Sequence, residues 1–188
     1  HFLFPRPFRD LPGDVTLPGR KGRVSAMNEE KFPVIIIDDD PSVRKGLSRV
    51  LSAAGYPVRV FSSAGDFLDG DARDRVGCIL LDVKMPEMNG LELQEELIDD
   101  EYAPPIIFIT AHGDIPTAAR TMKRGAVDFL TKPLDRDALL DAVDSALEKN
   151  TRIREHRRRI AEVEEKLSKL TPREYEVMTY VITGILNK

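Results

Sequence analysis

The chain is poor in the features that would give it several common functions. Across 188 residues there is one cysteine, Cys78, so an intramolecular disulfide is excluded and a reducing compartment is suited. Cys78 sits inside an apolar run, where it reads as a small buried hydrophobe rather than a reactive thiol. Positive charge is not in excess: the net charge is −4 and the pI about 5.5, which leaves no overall basic footprint for nucleic acid. No apolar run approaches the roughly 18 residues needed to cross a bilayer, so a cytoplasmic protein with no membrane partner is expected. Residues 1–30 lack periodicity and combine prolines, glycines and basic charges, as in Leu17-Pro18-Gly19-Arg20-Lys21-Gly22-Arg23. They also lack an apolar core followed by a small-residue cleavage site, so no signal peptide is expected. The stretch reads as a disordered extension, with Met27 as a possible natural start. The remaining length suits one full domain and a smaller appendage.

What is present is a repeated grammar of strand, loop and helix. Cys78-Ile79-Leu80-Leu81 runs straight into Asp82, and Met85-Pro86-Glu87-Met88-Asn89-Gly90 supplies a turn. This reads as a buried parallel strand that delivers a carboxylate to its carboxyl end, where open α/β sheets place ligands and chemistry. Upstream, Val34-Ile35-Ile36-Ile37 ends in Asp38-Asp39-Asp40. Three adjacent carboxylates repel one another unless exposed, protonated or neutralised. If the two strands are neighbours, Asp38, Asp39 and Asp82 converge in one pocket of hard oxygen donors suited to Mg²⁺. The plain alternative, that acids merely begin the helix after Pro41, explains Asp40 well and Asp38 poorly.

The alternation continues along the chain. Helical spacing of Val43, Leu47, Val50 and Leu51 marks a helix over 42–54, closed by Gly55. Strands follow at 58–61, 105–110 and 127–131, and helices at 64–68, about 91–98, 114 to about 124, and from Asp135 onward. Five strands alternating with five helices predict an α/β doubly wound parallel sheet. Thr110 ends the fourth strand and Lys132, fixed before Pro133, the fifth. An acyl phosphate on Asp82 would meet Mg²⁺ on one side, and the Lys132 ammonium and Thr110 hydroxyl on the other. Singly, each of these residues has a structural explanation; their recurrence at strand ends does not. His112, beside the same pocket, reads as a surface-loop imidazole.

These motifs resemble the receiver domain of bacterial two-component response regulators. The resemblance runs from about Phe32 to Leu147 and rests on Asp38-Asp39, Asp82 with Met85–Gly90, Thr110-Ala111 and Lys132-Pro133. It implies a flavodoxin-like sheet of order 2-1-3-4-5, with Asp82 as the acceptor of a phosphoryl group from a sensor histidine kinase. Asp39, Asp82 and the Lys84 carbonyl would hold Mg²⁺, assisted by Asp38. Lys132 would bind phosphoryl oxygens, Thr110 would be the switch hydroxyl, and Phe129 the coupled aromatic. A receiver is a phosphoacceptor regulator rather than an enzyme with a turnover of its own. A haloacid-dehalogenase-type phosphotransferase would need a second acid two residues after Asp82, and that position is Lys84.

Past the receiver (31–147) the helical pattern does not stop. Ile153, Ile160 and Leu167 recur every seven residues, with His156, Val163 and Leu170 in the alternate positions, so 148–169 reads as a linker helix with a coiled-coil seam. The competing expectation is that this stripe folds back on its own receiver. Arg157-Arg158-Arg159 reads as a solvated face. Thr171-Pro172-Arg173-Glu174 then offers a fresh cap and first turn. The stretch 170–178 resembles the opening of the helix-turn-helix effector in FixJ/NarL (LuxR-type) regulators, so 170–188 reads as the truncated start of that all-α domain. The expectation is a homodimer through the linker, the 115–147 face or both, with promoter DNA bound only by a full-length form. A stand-alone phosphotransfer or protein-interaction receiver is the alternative. The kinase, stimulus, target genes and DNA sequence are not written in these residues.

Overall fold

The computed structural model describes residues 32–70, 76–98, 103–111 and 115–185. The expected extension at 1–30, His112 and the proposed helix start at Asp114 lie outside them. Five strands, β1 (Val34–Ile37), β2 (Val58–Phe61), β3 (Cys78–Asp82), β4 (Ile106–Thr110) and β5 (Asp128–Thr131), form one parallel sheet of order β2-β1-β3-β4-β5. Between and after them run α1 (Pro41–Ala53), α2 (Ala64–Leu68), α3 (Gly90–Ile98), α4 (Ile115–Lys123), α5 (Arg136–Ser168) and α6 (Pro172–Ile185).

Each central strand is apolar on both faces because both faces are covered. Ile35, Ile37, Ile79, Leu81 and Phe108 point into a core completed by Phe67 of α2 and by Leu93 and Leu97 of α3. Their alternates Val34, Ile36, Leu80, Ile107 and Ile109 pack against α1 and α5 through Leu47, Leu51, Leu139 and Val143. Cys78 is buried in this second layer, and burial pushes its thiol up to about 12, so it is an inert core residue. The edge strand β2 is only half covered, with Arg59 and Val60 exposed.

Helix starts follow local chemistry. Asp40 caps α1 by accepting the Ser42 N–H at 2.8 Å, with Pro41 in the first turn. Asn89 caps α3 through the N–H groups of Leu91 and Glu92, while the Glu92 carboxylate accepts from Asn89 N at 2.8 Å. Asp135 caps α5 at Ala138 N.

The C-terminal part is two helices. Helix α5 is continuous over 33 residues, and every one of its buried residues lies at or before Asn150. It therefore does not fold back over the receiver: Val163 in the predicted seam is 53% exposed. The capping box at α6 is formed, with Thr171 N and Oγ1 both donating to Glu174 Oε2, and Glu174 N donating to Thr171 Oγ1 at 3.3 Å. Helix α6 runs to Ile185, one residue past Gly184, in agreement with an end near that glycine. Among the described residues no helix is long and apolar enough to cross a membrane.

A carboxylate pocket at the strand ends

The sheet order makes β3 the neighbour of both β1 and β4, so the carboxyl ends that carry Asp38, Asp82 and Thr110 lie side by side. Asp38 and Asp82 are buried, at 2% and 6% exposure. Lys132, arriving from the end of β5, spans to them: its Nζ lies 2.8 Å from Asp38 Oδ2 and 2.8 Å from Asp82 Oδ1. One ammonium thus serves two carboxylates. The Lys132–Pro133 peptide is cis, and Lys132 N donates to the Thr110 carbonyl at 2.8 Å, tying the two strand ends together.

The second oxygens of the carboxylates are also held. Asp82 Oδ2 accepts the Lys84 N–H at 2.7 Å, and Asp38 Oδ1 accepts the Asp40 N–H at 2.9 Å. Arg44 on α1 donates to the Asp38 carbonyl at 2.5 Å. Burial pushes the Asp82 carboxyl above the ordinary carboxylate value, against the opposing pull of Lys132 and the Lys84 N–H and with Asp38 adding to the rise. Burial alone would lower Lys132, but its bonds to Asp38 and Asp82 outweigh this and hold its pKa above the usual value. The two directions have different causes: burial dominates at Asp82, and the paired carboxylates dominate at Lys132.

The loop after Asp82 approaches closely. A Cβ at Gly90 would lie 2.3 Å from the Asp82 carbonyl oxygen, so only glycine fits, and Gly90 N donates to the Val83 carbonyl at 3.0 Å. Glu87 stands at φ 65° while Met88 N bonds Pro86 O across it at 2.8 Å, a three-residue turn in a costly backbone region.

Of the predicted site residues, Asp38, Asp82 and Lys132 are in direct contact. Thr110 is buried at the adjoining strand end. Phe129 pairs in register with Phe108 and is half-buried against the α2/α3-side core. Asp39 is exposed, next to the pocket, and Lys84 meets Asp82 through its backbone N–H. Among the described residues no three His, Cys, Asp or Glu side chains are gathered closely enough to hold a metal ion by themselves. The donor set still fits Mg²⁺, which binds through one or two carboxylates and keeps several waters. Sequence reasoning missed Arg44 and the close approach at Gly90. The first carries no motif, and the second was visible only as the glycine of a turn.

A doubly wound sheet of this order, with paired acids and a lysine at its carboxyl edge, defines a receiver-type fold. Residues 34–144 match the family described as response regulator receiver domain. The chain is 41% identical over 171 residues to the response regulator protein TmoT of Ectopseudomonas mendocina, covering 91% of this chain and 77% of that one. It is 36% identical over 158 residues to the transcriptional regulatory protein FixJ of Bradyrhizobium diazoefficiens, covering 84% and 77%. Among solved structures, the response regulator StyR superposes with a TM-score of 0.74 at 44% identity, over 81% of this chain and 78% of that one. The chain belongs to the response regulators of two-component systems, in the FixJ/NarL-type group.

Proposed function

We propose that Asp82 accepts a phosphoryl group from a sensor histidine kinase, and that the acyl phosphate switches a dimeric, DNA-binding transcription regulator in the cytoplasm. The observation that carries this reading is the Lys132 ammonium, 2.8 Å from both Asp38 and Asp82. In the transfer an Asp82 carboxylate oxygen bonds to phosphorus as the bond from phosphorus to the kinase imidazole nitrogen breaks, and that nitrogen keeps the electron pair. Such transfer depends on positioning and charge neutralisation more than on covalent assistance. The backbone N–H of Lys84 holds one Asp82 oxygen in place. Lys132 stands where charge arrives on the phosphoryl oxygens, and it loses an aspartate partner as it gains a phosphate one. Asp38, Asp39, Asp82 and the Lys84 carbonyl would hold Mg²⁺, which supplies charge neutralisation on the transferring group.

Thr110 is the hydroxyl placed to turn towards the new dianion, with Phe129 following on the neighbouring strand. The face formed by α4, β5 and α5 is then the two-state surface. Dimerisation uses this face, the linker seam of α5, or both, and α6 opens the effector. The chain acts as a phosphoacceptor regulator, with self-phosphorylation from small donors and self-dephosphorylation as its only chemistry.

Intact mass after incubation with acetyl phosphate and Mg²⁺ tests the proposal. One Mg²⁺-dependent phosphoryl adduct is expected, absent from Asp82→Asn. An adduct that persists in the variant would assign the chemistry to another carboxylate. Light scattering with and without beryllofluoride and Mg²⁺ tests dimerisation, and a monomer in both states at high concentration would refute it.

A further inference from the structure

The root of the linker is fastened to the receiver at a point far from the carboxylate pocket. Val76 precedes β3, at the opposite end of the strand from Asp82, and its carbonyl accepts two side-chain donors from α5. Asn150 Nδ2 lies 3.1 Å from it and Arg154 Nη2 3.2 Å, one helical turn apart. The Arg154 guanidinium also stacks on the Phe32 ring at 3.6 Å from its centroid, in the segment that leads into β1. Asn150 is 6% exposed, an unusual position for an amide unless it is fully used. Alongside, Gly77 allows a close approach: a Cβ there would fall 2.8 Å from Leu147 Cδ2 and 2.7 Å from the Phe32 carbonyl. The approaches to β1 and β3 and two turns of α5 therefore form one packed unit.

The angular placement of this contact matters. At about 100° per residue, the seam residues Ile153, Ile160, Leu167 and Val163 lie between about 60° and 140° round the helix from Asn150, and Arg154 lies about 40° to the other side. The fastened side and the apolar seam point in different directions.

We infer that Asn150 and Arg154 are positioning residues that clamp the linker helix to the underside of the receiver, fix its exit direction, and turn its apolar seam outward for a second copy of this chain. The partner assignment rests on the dimer reading above; the clamp does not. A helix free to pivot at its root would let a change at the pocket dissipate in the linker. A clamped one carries the orientation of the receiver to whatever follows it.

The buried, high-pKa thiol of Cys78 permits selective labelling of introduced cysteines. Nitroxides at Arg49→Cys on α1 and Ala161→Cys on α5, both exposed positions, are measured by pulsed dipolar spectroscopy after tenfold dilution with unlabelled chain, which leaves the distance within one molecule. A single narrow distribution is expected, and its width should at least double when Asn150→Ala and Arg154→Ala are added. Equal widths in the clamped and unclamped proteins would overturn the inference. Arg154→Lys, which keeps charge but loses the planar stack, should broaden it to a lesser extent and serves if the double variant fails to fold. Light scattering on the same samples separates the two claims. A monomer with a narrow distribution would refute the dimer and leave the clamp, whereas a dimer with an insensitive distribution would do the reverse.

Discussion

Replacing Asp82 by asparagine should stabilise the fold at neutral pH, although it removes an ion pair. The two carboxylate oxygens that share Lys132 each lie 2.8 Å from its Nζ, so they are no more than about 5.6 Å apart. With an effective dielectric near 20, the Asp82–Lys132 attraction is worth about 6 kcal/mol and the Asp82–Asp38 repulsion costs at least about 3 kcal/mol. Burial of the Asp82 charge costs several kcal/mol more, which tips the balance against the ionised form. The raised pKa of Asp82 has the same sign. Asparagine keeps the shape and an acceptor for the Lys84 N–H without the charge, so a gain of about 1 kcal/mol is expected. The sign also fixes the pH dependence. A carboxyl whose folded pKa lies above its unfolded value of about 3.9 costs nothing while protonated in both states. The penalty grows as pH rises from there through the folded pKa. Urea denaturation of both proteins should therefore give equal midpoints at the acid end and a more stable variant near pH 7. A variant less stable than wild type by 1 kcal/mol or more at pH 7 would mean that the Lys132 attraction exceeds the other two effects, and the reasoning would fail.

Other perturbations test neighbouring parts of the argument. Lys132→Met leaves two buried carboxylates without their cation and should cost about 2 kcal/mol in urea at pH 7, part of it recovered by millimolar Mg²⁺; no loss would mean that the acids are neutral or hydrated. In the unmodified protein the raised pKa of Lys132 contributes stability that is complete below about pH 10.4 and disappears as pH rises through the folded value, so alkaline denaturation should begin earlier in wild type than the loss seen in Lys132→Met predicts for other groups. Gly90→Ala forces a Cβ against the Asp82 carbonyl and should cost at least about 2 kcal/mol while reducing adduct formation, read by denaturation and intact mass. Glu87→Gly relieves the positive φ of 65° and should gain about 1 kcal/mol in thermal unfolding; a loss would show that the Glu87 side chain supports the loop.

The fold was legible in the sequence because its signals are local and repeated. The β1, β3 and β4 runs are too apolar for a half-exposed sheet, and each is followed by a helix with its own start signal, as at Asp40, Asn89 and Asp135. Boundaries moved by one residue where a proline or valine could belong to either side, as with Pro105, which precedes β4, and Val127, which precedes β5. The linker and its break at Lys169 were also legible, from a seven-residue period followed by a capping box. The clamp at Asn150 and Arg154 was not. Neither residue departs from what a solvated helix would carry, and their shared acceptor, the Val76 carbonyl, is 74 and 78 positions away in the chain.

The pocket shows where such reading stops and why. Spacing alone said that Asp38, Asp39 and Asp82 would gather if β1 and β3 were neighbours, and it treated the three as equals. Folding separates them. Asp38 turns in, gives one oxygen to Lys132 and the other to the Asp40 N–H, and Asp39 is left exposed. Both faces of β1 are covered, so strand alternation does not make the difference; the partners do, Asp38 being held by Lys132 and the Asp40 N–H while Asp39 is exposed where the chain leaves the strand for α1. Lys132, in turn, reaches both acids only because β5 lies beside β4 at the sheet edge and its end is tied to the Thr110 carbonyl. The site is thus a property of strand order, and the sequence supplies its members without their pairing. One cation among two buried carboxylates is an arrangement with negative charge left over, and a group that brings its own dianion to Asp82 must draw further positive charge and a hydroxyl donor towards the same point. The strand ends of β3, β4 and β5 carry Asp82, the Thr110 hydroxyl and the Lys132 ammonium, so under the function proposed above the unbalanced resting charge and a response to a phosphoryl group would have the same structural cause.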